Sequence, residues 1–343
     1  MRLSAASRSS VSDKVKVINM DKVKIIRILS VFFFLSGIIF STWSAISLNQ
    51  YFKTNSGNRL PPAGSFIDGS DKFTFAVMAD SGLRDEPINA VIKDMKSKKV
   101  KFIIHLGDQA RRLSANHFEH LLQSLDSQLG DTPFYAVPGN HDATHGKKST
   151  LRYYKRAFGQ PNYWFSYGNT LFVAINTAFG NFDKEQQAWL KNVLKNLRPM
   201  FTNCILLTHM PPEDPRPGKS YAMYGDIDEL KSIISKFKIN AIIAGHIHEY
   251  NASQLDGIPL YTAPPSGQKM RGATTMFGYL LCAIDKSSKL NVKKVDITDK
   301  KGRDYLQYFL STELDGITTS IISFSLLSAA FMLLFLSSGT RRR

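Results

Sequence analysis

An α/β fold is what the sequence predicts, on three observations. Short apolar runs alternate with segments of helical period, as in FTFAVMAD before INAVIKDMKSKK and VKFIIHLGD before HFEHLLQSLDSQL. YWFSYG and TLFVAIN read as an inserted hairpin turning at Gly168 and Asn169, and PLYTAPP, FGYLLCAID and LNVKKVDIT close the domain as strands. Strands that alternate with helices build a layered sheet-and-helix domain, and consecutive strands add antiparallel pairs to it.

The elements follow in order. Residues 1–27 hold seven basic and two acidic side chains, a basic tail. Residues 28–48 and 317–336 carry no charge, and stretches of 21 and 20 residues are long enough to cross a hydrocarbon core of about 30 Å as helices. One transmembrane helix is therefore expected at each end. A cleavable signal peptide is disfavoured for the first, because its polar lead is long and its apolar stretch exceeds the usual ~7–15 residues. The basic excess before the first span puts the N-terminus in the cytoplasm, a second span returns residues 337–343 there, and the middle of the chain is extracytoplasmic. Residues 49–70, rich in Asn, Gly, Ser and Pro, read as a linker. Residues 71–300 form the folded domain and residues 301–316 a juxtamembrane linker.

Within that domain, TPFYAVPGNHD precedes the helical LRYYKRAFG, QQAWLKNVLKNL precedes the strand NCILLTHMPP, and DELKSIISKF precedes NAIIAGHIHEY. Of the net charge of +16, half belongs to the two terminal tails; the rest favours anionic substrates or lipid headgroups. No basic recognition motif is present, so nucleic acid is not an expected partner. Cys204 and Cys282 both lie in apolar strand-like runs and read as buried thiols, with a single disulfide the open alternative.

Every candidate metal donor follows one of these apolar runs. Asp80 closes the first, Gly107-Asp108 the second, Gly139-Asn140-His141-Asp142 the third, Thr208-His209 a later one and Gly245-His246-Ile247-His248 the last. Sites of α/β sheets lie beyond the carboxyl ends of strands, so these stretches can converge. Carboxylate, amide oxygen and imidazole suit Mn, Fe or Zn, and no cysteine lies in the set. Glycine before Asp108, Asn140 and His246 allows a sharp bend where a strand stops. A carboxylate offers two oxygens to two cations, which makes Asp108 the candidate bridge.

The order D, GD, GNHD, TH, GHxH resembles the calcineurin-like metallophosphoesterases over residues 73 to about 296. The resemblance implies a β-sandwich flanked by helices and a phosphoester hydrolase with one or two metal ions. It assigns Asp80, Asp108 and His248 to one metal, Asp108, Asn140, His209 and His246 to the other, and the leaving oxygen to His141. Two such ions could activate a bridging water for in-line attack without a phosphoenzyme. Within the family, Asp80-Ser81-Gly82 is most similar to the D-x-G of purple acid phosphatases, but Arg111 stands where those proteins place a metal-binding tyrosine.

Guanidinium cannot ligate a metal, so three readings are open: a two-metal enzyme in which Arg111 binds a phosphate oxygen, a one-metal enzyme in which it replaces lost charge, and a non-catalytic receptor or scaffold for a phosphorylated ligand. The expected partners are a phosphorylated substrate, monoester or diester, and the membrane, whose closeness makes a lipid-linked phosphate one candidate. His105 reads as a packed core histidine, His117 and His120 as a solvated helix face and His145 as a surface loop residue, while Arg112, Lys147 and Lys148 read either as an electropositive rim or as solvated residues. The Asn251-Ala252-Ser253 acceptor sequence for glycosylation reads as a chance match.

Overall fold

The computed structural model describes residues 64–82, 85–110, 115–143, 151–268, 271 and 276–297, with helical residues at 25, 28–36, 38, 325–326 and 329–330. The chain divides into two units, Tyr51–Tyr308 and a second made of Met1–Gln50 with Phe309–Arg343. Both expected spans, 28–48 and 317–336, fall largely outside the described residues. Among those described, no helix is long and apolar enough to cross a membrane.

The central unit contains two sheets. The larger has seven strands: β1 (Ser65–Ile67), β5 (Tyr163–Tyr167), β6 (Thr170–Ala174), β7 (Asn203–Leu207), β8 (Ala241–Ala244), β10 (Ile258–Thr262) and β9 (Asn251–Leu255), in that spatial order. The smaller runs β12 (Leu290–Asp296), β11 (Gly278–Ile284), β2 (Phe73–Met78), β3 (Ile103–His105), β4 (Phe134–Ala136). β2, β3 and β4 are mutually parallel, as are β6, β7 and β8, so their carboxyl ends lie along common edges.

Side-chain alternation explains why the sheets stack. In β7, Ile205 and Leu207 join Phe75, Phe102, Phe165 and Phe172 in one core, while Cys204 and Leu206 turn to a second core. The second core is completed by helices α4 (Lys184–Leu197) and α5 (Ile227–Lys236), through Leu190, Leu194, Leu230 and Ile233. A period of two buries a strand on both faces when each face has a partner layer. Aromatic rings fill the middle: Tyr135 stacks on Phe165 at 3.7 Å, and Phe102 meets Phe165 edge-on at 5.6 Å. Cys204 and Cys282 are buried free thiols in different cores, so no disulfide joins them.

The remaining helices, α1 (Asp85–Ser97), α2 (Ala115–Leu129) and α3 (Arg152–Phe158), belong with the smaller sheet. Tyr279 of β11 donates its hydroxyl to Asp94 of α1 at 2.6 Å, and Tyr154 of α3 donates to the Ala136 carbonyl of β4 at 2.5 Å. The β5–β6 hairpin turns at Gly168 and Asn169 as expected, with Tyr167 opposite Thr170.

Two elements differ from the sequence reading. The linker does not extend to residue 70, because Ser65–Ile67 pairs in parallel with Phe165–Tyr167 as an edge strand. Three residues are too few to show a period. The segment NASQL, read only as an acceptor motif, is strand β9, joined to β10 through Asp256-Gly257 with φ of 49° and 80°. An Asp-Gly pair with both φ positive is a favoured two-residue hairpin turn, so its signal was present in the sequence.

Candidate metal centre

Five strand ends converge. Asp80, Asp108 and the Asn140–Asp142 turn follow β2, β3 and β4 of the smaller sheet, and His209 and the His246–His248 stretch follow β7 and β8 of the larger. Four of these residues hold left-handed backbone: Asp80 (φ 54°), Asp108 (φ 56°), His246 (φ 70°) and His248 (φ 56°). Such a conformation costs a non-glycine residue roughly 1–2 kcal/mol, and it collects where side chains must be aimed at one point. Close backbone approach requires glycine at 139, where a Cβ would collide with the Asp108 amide nitrogen and carboxylate.

The donor atoms lie close together. His209 gives its Nδ1–H to the Leu106 carbonyl at 2.7 Å, which leaves Nε2 with its lone pair in the site. That Nε2 is 3.0 Å from Asn140 Oδ1, 3.2 Å from His246 Nδ1 and 3.4 Å from Asp108 Oδ1. His248 Nε2 is 3.5 Å from Asp80 Oδ1, and the other Asp80 oxygen accepts the His246 amide at 2.9 Å. Asp108, His209 and His246 form one set of potential ligands within 4.8 Å of one another, and Asp80, Asp108 and His248 form another. Asp108 belongs to both.

Burial makes this arrangement costly without a cation. It pushes the Asp80 carboxyl well above the usual carboxylate range, and repulsion from Asp108 adds to the shift; Asp108 is itself raised, chiefly by burial. Burial also lowers His209 and His246 to about 3, so both stay neutral and able to ligate. Asp80 Oδ1 is buried with no hydrogen-bond partner. An orphaned acceptor, neutral imidazoles and two acidic groups fit a cation, whose charge reverses the carboxylate shifts.

The surroundings hold the donors in place. The Asp142 carboxylate accepts the backbone N–H of Gly139 (2.8 Å), Ala110 (2.9 Å) and Gln109 (3.3 Å), tying the third loop to the second. His141 donates its amide to Asp108 Oδ1 at 2.8 Å, while its half-exposed ring places Nε2 3.8 Å from Asp108 Oδ2. The Tyr154 hydroxyl is committed to the Ala136 carbonyl, and the Tyr135 ring is stacked on Phe165 within the sandwich. Arg111, Arg112, His145, Lys147 and Lys148 lie outside the described residues.

His105 is buried, belongs to neither ligand set, and bonds Ser81 Oγ through Nε2 at 2.8 Å. Burial, then the neighbouring His209, lowers it to about 3 against an ordinary 6.5. The unfolded chain thus takes up a proton that the folded one refuses. Stability is complete above about pH 6.5 and declines toward pH 3, by up to ~1.4 kcal/mol per unit from this group. His105→Gln should remove that part of the slope in denaturant melts of the metal-loaded protein between pH 7.5 and 5; an unaltered slope contradicts the assignment.

Four residues at the site had not been singled out. Arg271 stacks on Tyr221, with Cζ 4.9 Å from the ring centroid, and its charge acts on both Asp80 and His246. Tyr221 itself lies 6.3 Å from the His246 ring. Arg216 also covers Tyr221, at 5.4 Å, but it is engaged by Asp214 at 2.8 Å and by the Ile247 carbonyl at 3.1 Å. Burial raises the Asp214 carboxyl, yet the Arg216 and Tyr221 donors outweigh it and hold the group down near 2. Gln268 completes the set, bonded to the Asp80 and Asp108 carbonyls.

Known proteins share this frame. The calcineurin-like phosphoesterase family model matches residues 73–250, over half the chain. A probable cyclic nucleotide phosphodiesterase of Psychrobacter sp. (strain PRwf-1) is 24% identical over 184 residues, 49% of this chain and 53% of that one. The chain thus spans about half the length of this curated relative. Among solved structures, purple acid phosphatase PPD1 from yellow lupin seeds superposes with a TM-score of 0.54 at 15% identity, over 69% of this chain and 55% of that one. A dimetal phosphatase from Danio rerio gives 0.50 at 14% identity, over 66% and 97%. From the family match over residues 73–250, and in keeping with the sandwich and its donor-lined edge, the chain belongs to the calcineurin-like phosphoesterases.

Proposed function

We propose that the chain is a phosphoester hydrolase working with two cations, Mn, Fe or Zn, that share Asp108. The observation that carries this reading is the pair of three-donor sets meeting at one buried carboxylate. Asp80, Asp108 and His248 would hold one cation, and Asp108, Asn140, His209 and His246 the other. When bound, the cations supply Lewis acidity and a water acidic enough to attack phosphorus near neutral pH. Asp142 keeps the Asn140 and Asp108 loops in register, and the Leu106 carbonyl fixes the His209 ring so that Nε2 is the free nitrogen. His141, half exposed beside Asp108, is placed to give a proton to the leaving oxygen.

Arg271 would grip a phosphoryl oxygen. Among the described residues no carboxylate pairs with its guanidinium, and the face of Tyr221 holds it in position. Arg271→Ala is expected to raise KM, and the inhibition constant for inorganic phosphate, by roughly 10- to 100-fold, the loss of one or two charge-assisted bonds at about 1.5–3 kcal/mol. Metal content should not change. Equal inhibition of wild type and variant by phosphate contradicts the role.

A phosphodiester is one candidate substrate, because the curated relative carries a cyclic nucleotide phosphodiesterase name; a monoester is the other. Parallel assays with p-nitrophenyl phosphate and bis(p-nitrophenyl) phosphate separate them, and inactivity on both with every metal would favour a binding protein. Membrane anchoring at both ends, with the central unit extracytoplasmic, is part of the same proposal. It is supported by the uncharged stretches 28–48 and 317–336 and by exposed Ile28, Val31, Phe32, Phe34 and Leu35 along helical residues 28–36. Release of the full-length chain from membranes by alkaline carbonate would contradict the anchoring.

A further inference from the structure

Gly82 has no side chain, and the side chain of Gln268 stands where one would start. A Cβ on Gly82 would lie 2.6 Å from Gln268 Cγ and 3.2 Å from its Cδ, so the two positions cannot both be filled as they stand. Gln268 is held there by its own segment. After β10 the chain runs beside the end of β2, with Ala79 bridged to Pro265, the Ser266 amide donating to the Ala79 carbonyl at 2.8 Å, and the Gln268 amide donating to the Asp80 carbonyl at 2.8 Å. Ser266 is fully buried and its hydroxyl donates to the Gly278 carbonyl at 2.8 Å, so the approach to Gln268 is anchored on both sides.

The side chain then reaches the second carboxylate residue. Gln268 Nε2 donates to the Asp108 carbonyl at 3.3 Å. One glutamine thus ties together Asp80 and Asp108, the two carboxylate residues of one ligand set. With Nε2 engaged, the amide retains Oε1, for which no hydrogen bond is made among the described residues. An amide oxygen is a neutral donor compatible with the carboxylate and imidazole ligands already in place. Asp80 Oδ1, also without a hydrogen-bond partner, belongs to the same group.

We propose that Gln268 gives its side-chain oxygen to the cation held by Asp80, Asp108 and His248, and that position 82 is glycine because this amide occupies the space its side chain would take. The cation then has four protein ligands, the fourth adding no charge. This assignment presupposes the cation pair proposed above.

Manganese titration of the metal-free full-length chain, by calorimetry, tests it with two substitutions of nearly the same reach. Gln268→Met removes the oxygen and the N–H together; Gln268→Glu removes the N–H but keeps an oxygen and adds charge. A ligand role moves them in opposite directions. Gln268→Met should weaken one equivalent of manganese by about 10- to 100-fold, the scale of losing a supporting group at a metal site, and Gln268→Glu should tighten it. Cobalt(II) bound to Gln268→Glu should also show a shifted d–d spectrum relative to wild type.

If both variants weaken binding, the glutamine acts only through its bond to Asp108, and the ligand role is overturned. If neither changes manganese affinity or the cobalt spectrum, it is overturned equally. A folded wild type that binds no manganese would instead sink the cation pair itself. Gly82→His combined with Gln268→Ala gives a further check, since a donor returned from position 82 should recover part of the lost affinity.

Discussion

Asp108→Asn should remove hydrolysis while leaving the fold intact. The substitution keeps the shape and the acceptor that holds the His141 amide at 2.8 Å, but it withdraws the negative charge common to both ligand sets. A loss of about 10³-fold or more in kcat/KM is expected, roughly 4 kcal/mol of transition-state stabilisation. The metal-free protein should respond in the opposite sense. Asp80 and Asp108 repel each other in a buried site, and a neutral amide relieves that repulsion. Metal-free Asp108→Asn should therefore melt at or above metal-free wild type, whereas added manganese should stabilise only the wild type appreciably. Full activity in the variant, or an equal thermal response to manganese, would contradict the bridging role.

His141→Ala should act on a narrower step. The ring lies at the solvent edge of the site, with Nε2 3.8 Å from Asp108 Oδ2, and it belongs to neither ligand set. Metal content should stay the same. General acid assistance is worth about 10²–10⁴-fold when the leaving group needs a proton. The deficit should thus be large for an alkyl phosphate, whose alkoxide leaves poorly, and small for p-nitrophenyl phosphate, whose leaving oxygen is stable as the anion. A dependence on leaving-group pKa that is steeper in His141→Ala than in wild type is the expected signature. Parallel dependences would assign His141 to positioning instead.

The sequence made the donor set legible because of where strands stop. Apolar runs ending in Asp80, Gly107-Asp108, Gly139-Asn140 and Gly245-His246 mark both the strand and its carboxyl end, and parallel pairing within each of the two sheets brings the ends of that sheet's strands to a common edge. His209 was legible for the same reason. Gln268, Arg271 and Tyr221 were not, since they lie in segments without period and act on residues far away in the chain; Gln268 meets Asp108 across 160 positions. The placement of Gln268 depends on how the segment after β10 folds back beside β2, and that of Tyr221 on the loop between β7 and α5; no local pattern encodes either. Gly82 is visible in the sequence as the last residue of a D-x-G stretch, but the Gln268 side chain that stands beside it is not.

Fold elements show the same division. The hairpin at Gly168 and Asn169 follows from local turn chemistry, and the helices from their apolar faces. Strand β1 exists only because β5 offers it an edge, and β9 is polar at most of its positions because it closes the other side of the same sheet. Propensity is weak for such strands, and pairing decides them.

The account stands on Asp108 serving two cations at once, and electron paramagnetic resonance of the manganese-loaded full-length chain measures that directly. Two manganese ions per chain with the multiline spectrum of a spin-coupled pair are expected, collapsing to an isolated-ion signal in Asp108→Asn. A folded wild-type chain that shows only the six-line spectrum of isolated manganese, or binds none, would contradict it.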